Sequence, residues 1–347
     1  MRFVWAEDNK TAQVELKCKD CDATTLVDAE VTSEKQDNKT IYTATYTYTV
    51  DGAEKTETEQ KTVEDEVVAH GRLDVNNSVT FAENIMLNFR AFIDDGYEEG
   101  AYVLFKYNHY GKEQTVRAEA TKLKEGYMFS CPLTASELCI PVTAELYLAD
   151  SEECVDSQTG SAKDYCERMI ARETTKPGQK EAMIALLNYG GYVQINQNLN
   201  LDNIAYDGYQ RPVNDVVIEC DNEFVKPTET VGGVTYYAAA LLLKDQITVK
   251  YAFTADSIEG VVFKINGKTV EAKKEGKYYV ICADPVRMRT LDTVNEVTVE
   301  TAEGTISFNH SALNYAMLQA KDDPDNKLSN AMKAMYALRM AVLNMNK

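Results

Sequence analysis

The sequence predicts a mainly β protein with a smaller α-helical part, an α+β fold. Three observations lead to this class: short segments of alternating hydrophobicity, motifs that recur at a fixed spacing, and helical patterns that end each recurrence. The 347 residues are 44% hydrophobic and 26% charged, which is enough for a sizeable core in two or three domains. We expect a small all-β module at 1–72, then two tandem β-sandwich units at 73–210 and 211–347, each ending in a two-helix hairpin.

The N-terminal region is rich in threonine and predicts strands without a helix. Larger side chains alternate with threonine at 41–50, which is the period-two pattern of a half-buried strand. The dipeptide Asp51-Gly52 follows and favours a tight hairpin turn, so 56–63 is the expected partner strand. Two more short strands are predicted at 12–18 and 25–31.

An internal repeat is the strongest signal in the sequence. Three motifs recur in the same order, at an offset of 149 or 150 positions, from 124–126 to 274–276, from 161–165 to 311–315 and from 182–185 to 331–334. Order and spacing both hold, which predicts two copies of one structural unit.

Each copy begins with predicted strands. Alternating apolar residues mark one strand at 85–93 in the first copy and one at 247–253 in the second. Further short strands are predicted at 102–107, 114–120, 127–131, 143–148, 261–265, 278–282 and 296–300. Runs this short and this regularly spaced are typical of a β-sandwich.

Two helices are expected to close each copy. Ser161 and Ser311 are placed as N-caps before helices at 162–170 and 312–320. Pro177-Gly178 and Asp323-Pro324 then break each pair, and the second helices are predicted at 179–192 and 327–345. The last helix carries an apolar stripe formed by Leu328, Met332, Met335, Leu338, Met340 and Val342. A methionine stripe can mark a partner groove, but we interpret this one as core that clamps the hairpin onto its own sandwich.

Eight cysteines allow either a disulfide framework or buried free thiols. Cys131 and Cys282 each end the strand that follows Lys-Glu-Gly, and Cys166 stands where the second copy has alanine. We therefore expect Cys131, Cys166 and Cys282 to be reduced and buried, which suits a reducing or anaerobic setting. Cys18 and Cys21 form a CxxC pair that fits a local disulfide or a vestigial zinc knuckle. A complete metal site would need a second pair of ligands.

Charge and hydropathy exclude several classes of partner. The chain has 36 Lys and Arg against 55 Asp and Glu, a net charge of -19, which argues against nucleic acid and anionic lipid. No apolar stretch approaches the length of a membrane span, so no membrane insertion is expected. The sequence opens without a signal peptide and closes without an anchor, which fits a cytoplasmic protein or a fragment of a longer exported one. We favour the fragment.

Several segments resemble repeated modules of large secreted surface proteins from gut-dwelling anaerobic Gram-positive bacteria. The segments at 186–192, 201–205 and 129–138 resemble the helical end of those modules, and the segments at 18–21 and 42–45 resemble the small Thr-rich β-repeats that precede them. The resemblance covers nearly the whole chain and carries no catalytic residues. It implies an extracellular, cell-surface protein whose partners are host proteins, such as immunoglobulin or mucin, or dietary polysaccharide.

The sequence offers no catalytic motif that we recognise. The three histidines lie far apart, and no nucleophile elbow, phosphate-binding loop or HExxH segment occurs. We therefore expect a non-enzymatic chain without a cofactor, and a monomer. The favoured function is a binding or adhesion module. The alternatives are an accessory, non-catalytic region of a secreted glycan-degrading enzyme and a pure stalk.

Exposed aromatic residues are the expected means of binding, because aromatic faces stack on sugars and anchor protein partners. Tyr107, His109 and Tyr110 lie at a predicted hairpin tip, 107–110, that is two residues longer than its counterpart at Ile265-Asn266. Because extra residues at a tip add nothing to a core, these three are the predicted ligand-binding residues. Other candidate tyrosines are Tyr206, Tyr209, Tyr236 and Tyr237.

Overall fold

A computed structural model describes residues 1–18, 21, 23–36, 39–64, 70–149, 153–243, 246–322 and 326–345. Within these residues the chain forms five β-sheets and four α-helices, so the predicted mainly β fold with α-helices is confirmed. Backbone contacts divide the chain into two compact units, Met1–Ala69 and His70–Lys347. No helix of the described part is long and apolar enough to cross a membrane.

The first unit is one antiparallel sheet with the strands in chain order. Its strands are β1 (Arg2–Trp5), β2 (Ala12–Lys17), β3 (Thr24–Gln36), β4 (Lys39–Val50) and β5 (Ala53–Glu64). Strand β3 is longer than predicted because its first half pairs with β2 and its second half pairs with β4.

Threonine alternation and turn chemistry explain the hairpin of β4 and β5. Asp51 and Gly52 both adopt positive φ, 52° and 80°, which confirms the predicted tight turn. Trp5 Nε1 on β1 donates a hydrogen bond to Glu59 on β5 at 2.7 Å, although these strands are the two ends of the strand order. The sheet therefore curls until its ends meet.

Within the described residues, the second unit begins with nine strands. They are β6 (Gly71–Leu73), β7 (Ser78–Thr80), β8 (Met86–Ile93), β9 (Tyr102–His109), β10 (Lys112–Glu119), β11 (Thr121–Lys122), β12 (Tyr127–Pro132), β13 (Val142–Tyr147) and β14 (Asp156–Gly160). One sheet has the order β10-β9-β13-β14, and the other has the order β11-β12-β8-β6 with β7 also paired to β8. The predicted strand at 85–93 is confirmed as β8, in which Leu87, Phe89 and Ala91 are buried.

Nine further strands follow. They are β15 (Thr230–Val231), β16 (Val234–Leu243), β17 (Ile247–Thr254), β18 (Val262–Ile265), β19 (Lys268–Val270), β20 (Lys273–Glu275), β21 (Tyr278–Cys282), β22 (Asn295–Thr301) and β23 (Gly304–His310). They form sheets of order β15-β16-β17-β21-β20 and β19-β18-β22-β23. The alternation predicted at 247–253 is confirmed, since Val249, Tyr251 and Phe253 are buried.

The helices are α1 (Ala162–Ala171), α2 (Pro177–Gln197), α3 (Ala312–Asp322) and α4 (Lys327–Asn344). Both predicted caps are confirmed, because the hydroxyl of Ser161 accepts from the Asp164 amide and that of Ser311 from the Asn314 amide. Helix α2 starts earlier than predicted, with Pro177 in its first turn. Backbone N–H groups in the first turn have no partner within the helix, so a proline, which lacks the N–H, is tolerated there. The predicted break at Asp323-Pro324 lies outside the described residues.

The apolar stripe of the last helix is core, with one exception. Met332, Met335, Leu338 and Val342 are buried, but Met340 is 39% exposed. Met340 lies about 140° around the helix from Met335, so it turns away from the packed face. Helix α4 packs against α2 and α3. Helix α4 also contacts the 3₁₀ turn at Met288–Thr290, and the interpretation that its stripe clamps the hairpin onto its own sandwich stays a prediction.

Two of the three thiols predicted to be buried are buried. Cys131 and Cys166 are buried free thiols, whereas Cys282 is an exposed free thiol. The prediction for Cys282 is wrong because its strand carries one more residue after the shared Lys-Glu-Gly motif. One extra residue turns a strand side chain to the opposite face. Cys131 pairs with the buried Leu87, while Cys282 pairs with Lys250.

Candidate ligand-binding surface

The hairpin tip predicted to bind a ligand is not longer than its counterpart. Tyr110 and Gly111 form a two-residue turn with φ of 50° and 89°, and Asn266 and Gly267 form the same turn with φ of 52° and 75°. The additional residues of the first hairpin extend β9 and β10 rather than the loop. The premise of a longer tip is therefore wrong.

The tip residues also hold structural contacts. The hydroxyl of Tyr110 donates to the carbonyl of Ser136 at 2.5 Å, and Nδ1 of His109 lies 2.5 Å from Oε1 of the buried Glu137. Tyr107 is half-buried against the core, and burial raises its pKa to about 12. These contacts tie the hairpin to a 3₁₀ turn at Ala135–Glu137. Ligand binding by Tyr107, His109 and Tyr110 stays a prediction.

A different pair of tyrosines reaches the surface with its rings tilted against each other. The rings of Tyr237 on β16 and Tyr278 on β21 lie 4.5 Å apart between centroids, at an interplanar angle of 33°. Tyr237 is 49% exposed. We call Tyr237 and Tyr278 the tyrosine platform.

Local backbone geometry explains why the platform faces outward. The register of β16 against β17 shifts between Tyr236 and Ala238, as in a β-bulge. A bulge places two successive residues opposite one, so it re-aims side chains. Tyr236 points into the core and is 4% exposed, while its neighbour Tyr237 points to solvent.

A polar cleft lies at the same end of this sheet. It has a volume of about 490 Å³ and is lined by Gly233, Thr254, Ala255, Asp256, Lys274, Gly276 and Lys277. Lys277 connects the cleft to the platform, because its Nζ lies 5.2 Å from the ring centroid of Tyr278. We call this set of residues the lysine cleft. Its lining includes two lysines and one aspartate.

The two platform hydroxyls are linked electrostatically. A hydrogen bond between them raises the pKa of Tyr237 and lowers the pKa of Tyr278, and Lys277 lowers the latter further. Opposite directions are expected when one phenol donates and the other accepts.

The other tyrosines singled out in the sequence are less available. Tyr236 and Tyr206 are buried, and Tyr209 is partly buried against the core. Of the predicted candidates, Tyr237 alone belongs to the platform. Its partner Tyr278 was not predicted. The segment Lys274-Glu275-Gly276-Lys277 just before Tyr278 is charged and contains glycine, which is a signal for an exposed turn.

Titratable side chains are dispersed in the part of the chain that the structure describes. His70 stacks on Tyr97 and contacts Asp94, while His310 is buried among aromatic rings. Within the described residues, no group of three or more His, Cys, Asp or Glu side chains is placed to hold a metal ion. Cys18 and Cys21 are exposed, and residues 19–20 between them lie outside the described part.

No protein-family model matches the chain, and no curated protein matches it significantly.

Proposed function

We propose that the chain is a non-catalytic extracellular binding module of a bacterial surface protein. In this proposal a small all-β module at 1–72 precedes two tandem β-sandwich units at 73–210 and 211–347, each ending in a helix hairpin. The ligand is a host macromolecule, such as immunoglobulin or mucin, or a dietary polysaccharide.

Matching topology supports the tandem arrangement. The order β11-β12-β8 corresponds to β20-β21-β17, and β10-β9-β13-β14 corresponds to β19-β18-β22-β23. Each half also contains a 3₁₀ turn, at Ala135–Glu137 and at Met288–Thr290, and each ends in two helices. A backbone bond joins the turn to the first helix in both, from Lys163 to Leu138 and from Leu313 to Leu291.

The tyrosine platform is the observation that carries the binding function. A large aromatic side chain left half-exposed gives up burial that elsewhere stabilises the fold, and Tyr237 does so here while its ring packs, tilted by 33°, against that of Tyr278. Exposed, rigid aromatic faces supply contact area at low entropic cost to both sugars and proteins.

The second candidate is an accessory region of a secreted glycan-degrading enzyme. The same platform favours it, because an exposed tyrosine ring on a sheet face suits an extended polysaccharide. The two candidates differ in the flanking domains. A catalytic domain encoded beside this chain supports the accessory region, and more repeats with a wall anchor support adhesion.

The test is capture by the whole chain from a glycan array, serum and purified mucin. We expect the wild-type chain to retain a ligand and Tyr237→Ala/Tyr278→Ala to lose it. Tyr97→Ala is the matched control, because Tyr97 is 42% exposed and lies outside the platform. Capture that is equal in the double variant and the wild type, or absent from both, contradicts the proposal.

A further inference from the structure

We propose that the tyrosine platform and the lysine cleft together bind an acidic glycan, a sugar that carries a carboxylate or a sulfate. This inference rests on the binding function proposed above and names the ligand class of that site. The apolar face of a sugar ring would stack on the platform, and the anionic group would lie in the cleft.

The lysines of the cleft are free of ion pairs within the described residues. Lys250, on the neighbouring strand, contacts Glu275, but Lys274 and Lys277 contact no carboxylate of the described part. Their ammonium groups lie instead over the rings of Tyr279 and Tyr278, at 5.5 and 5.2 Å. Cation–π contacts orient the two groups, and Lys277 also hydrogen-bonds Tyr278. Because an ammonium group has three N–H donors, donors remain on both lysines.

The surroundings make this local positive charge distinctive. The whole chain carries a net charge of -19, so its long-range field repels an anionic ligand. The cleft lining has two lysines and one aspartate, a surplus of one positive charge that acts only over a short range. Salt screens the repulsion between the distant acidic residues and an anionic ligand beyond roughly 10 Å. Such a site recognises an anion on contact and does not attract it from a distance.

Thr254 and Asp256 complete the polar lining. A hydroxyl and a carboxylate accept hydrogen bonds from sugar hydroxyls, which fixes the orientation of a ring. The carboxylate of Asp256 also disfavours a second anionic group beside the first. The cleft therefore fits one acidic group on an otherwise neutral, hydroxylated ligand.

The experiment measures the affinity of the whole chain for three immobilised sugars: lactose, sialylated lactose and 3-O-sulfated lactose. Charge-assisted hydrogen bonds predict that both acidic sugars bind about tenfold more tightly than lactose, and that this difference shrinks in high salt. The variant Lys274→Gln/Lys277→Gln should remove this difference while leaving lactose binding unchanged. Lys112→Gln/Lys268→Gln removes the same charge from two exposed hairpin positions and should behave as wild type.

The outcomes separate this inference from the proposed function. Equal affinity for the three sugars, abolished in Tyr237→Ala/Tyr278→Ala, keeps the binding function and overturns the acidic preference. A preference that survives Lys274→Gln/Lys277→Gln also overturns it. Binding of one acidic sugar alone identifies the anion as carboxylate or sulfate. If the chain binds none of the three sugars, the acidic-glycan inference is overturned. If it also captures nothing from serum or mucin, the proposed function is overturned too.

Discussion

His310 is a histidine held neutral by its surroundings. It is 1% exposed, and its ring lies 4.6 Å from that of Phe224 and perpendicular to it. Its Nδ1 is among the buried polar atoms that lack a hydrogen-bond partner within the described residues. Burial without a partner penalises the charged form, which lowers the pKa of His310 from 6.5 to about 4.

This pKa predicts acid sensitivity. Between pH 6.5 and 4 the unfolded chain binds a proton that the folded chain does not, so the free energy of unfolding falls as pH falls. The full effect of one such histidine is about 3 kcal/mol below pH 4. His310→Leu should show a weaker fall, measured by urea unfolding at pH 7.5 and 4.5. The carboxylates that titrate in this range are the same in both proteins. An identical fall in the free energy of unfolding of wild type and variant would therefore contradict the lowered pKa of His310.

Tyr237 shows how one residue escapes sequence prediction. Tyr236 and Tyr237 are both candidate binding residues in the sequence, but only the register shift beside them decides which ring is buried. Hydrogen-bond register is a property of two strands together, so no periodicity in one strand reveals it.

Among the secondary-structure elements, alternating hydrophobicity predicted a strand correctly where one face of the sheet is buried and the other is not. Strands β8 and β17 and the two serine caps were predicted because period-two burial and N-cap chemistry are local signals. Strand β16 was missed because Ala238–Leu243 is uniformly apolar and carries no alternation. The tip at 107–110 was misjudged because the length of a turn depends on where its strands end, which the sequence does not mark.

The register difference between Cys131 and Cys282 predicts different reactivity. Burial raises the pKa of the Cys131 and Cys166 thiols to about 12, while Cys282 is exposed. Because the thiolate is the reactive form, iodoacetamide should label Cys282 in the folded chain, and Cys131 and Cys166 only after unfolding. Mass spectrometry of tryptic peptides measures the labelling. Labelling of Cys131 as fast as that of Cys282 would place both on the solvent face.

At the scale of the whole molecule, the second unit is held together by helix packing and by a long segment without regular structure. Residues 198–229 connect α2 to β15, and buried amide side chains fix their backbone. Asn188 donates to the carbonyl of Tyr209, and Gln194 donates to that of Asn203. The segment is therefore packed structure and not a flexible linker, although its sequence lacks periodicity.

Gly190 and Gly191 allow this segment to approach α2 closely. A Cβ at Gly191 would overlap the ring of Tyr206, and one at Gly190 would come within 2.5 Å of Leu138. Gly to Ala inside a helix normally stabilises by up to about 1 kcal/mol. Here the overlap reverses the sign, and we expect Gly191→Ala to lower the free energy of unfolding by about 1–3 kcal/mol. Urea denaturation measures it, and an unchanged or raised midpoint would show that Tyr206 moves aside freely.

The central claim is that this chain binds its ligand on the tyrosine platform. The most direct measurement is amide hydrogen exchange of the whole chain, with and without the tightest-binding sugar or mucin fraction from the capture experiments. We predict slower exchange at 233–238, 254–256 and 274–278 on binding, since these segments form the platform and its cleft. Protection confined to the hairpin tip at 107–111, or to the helices, would contradict the claim.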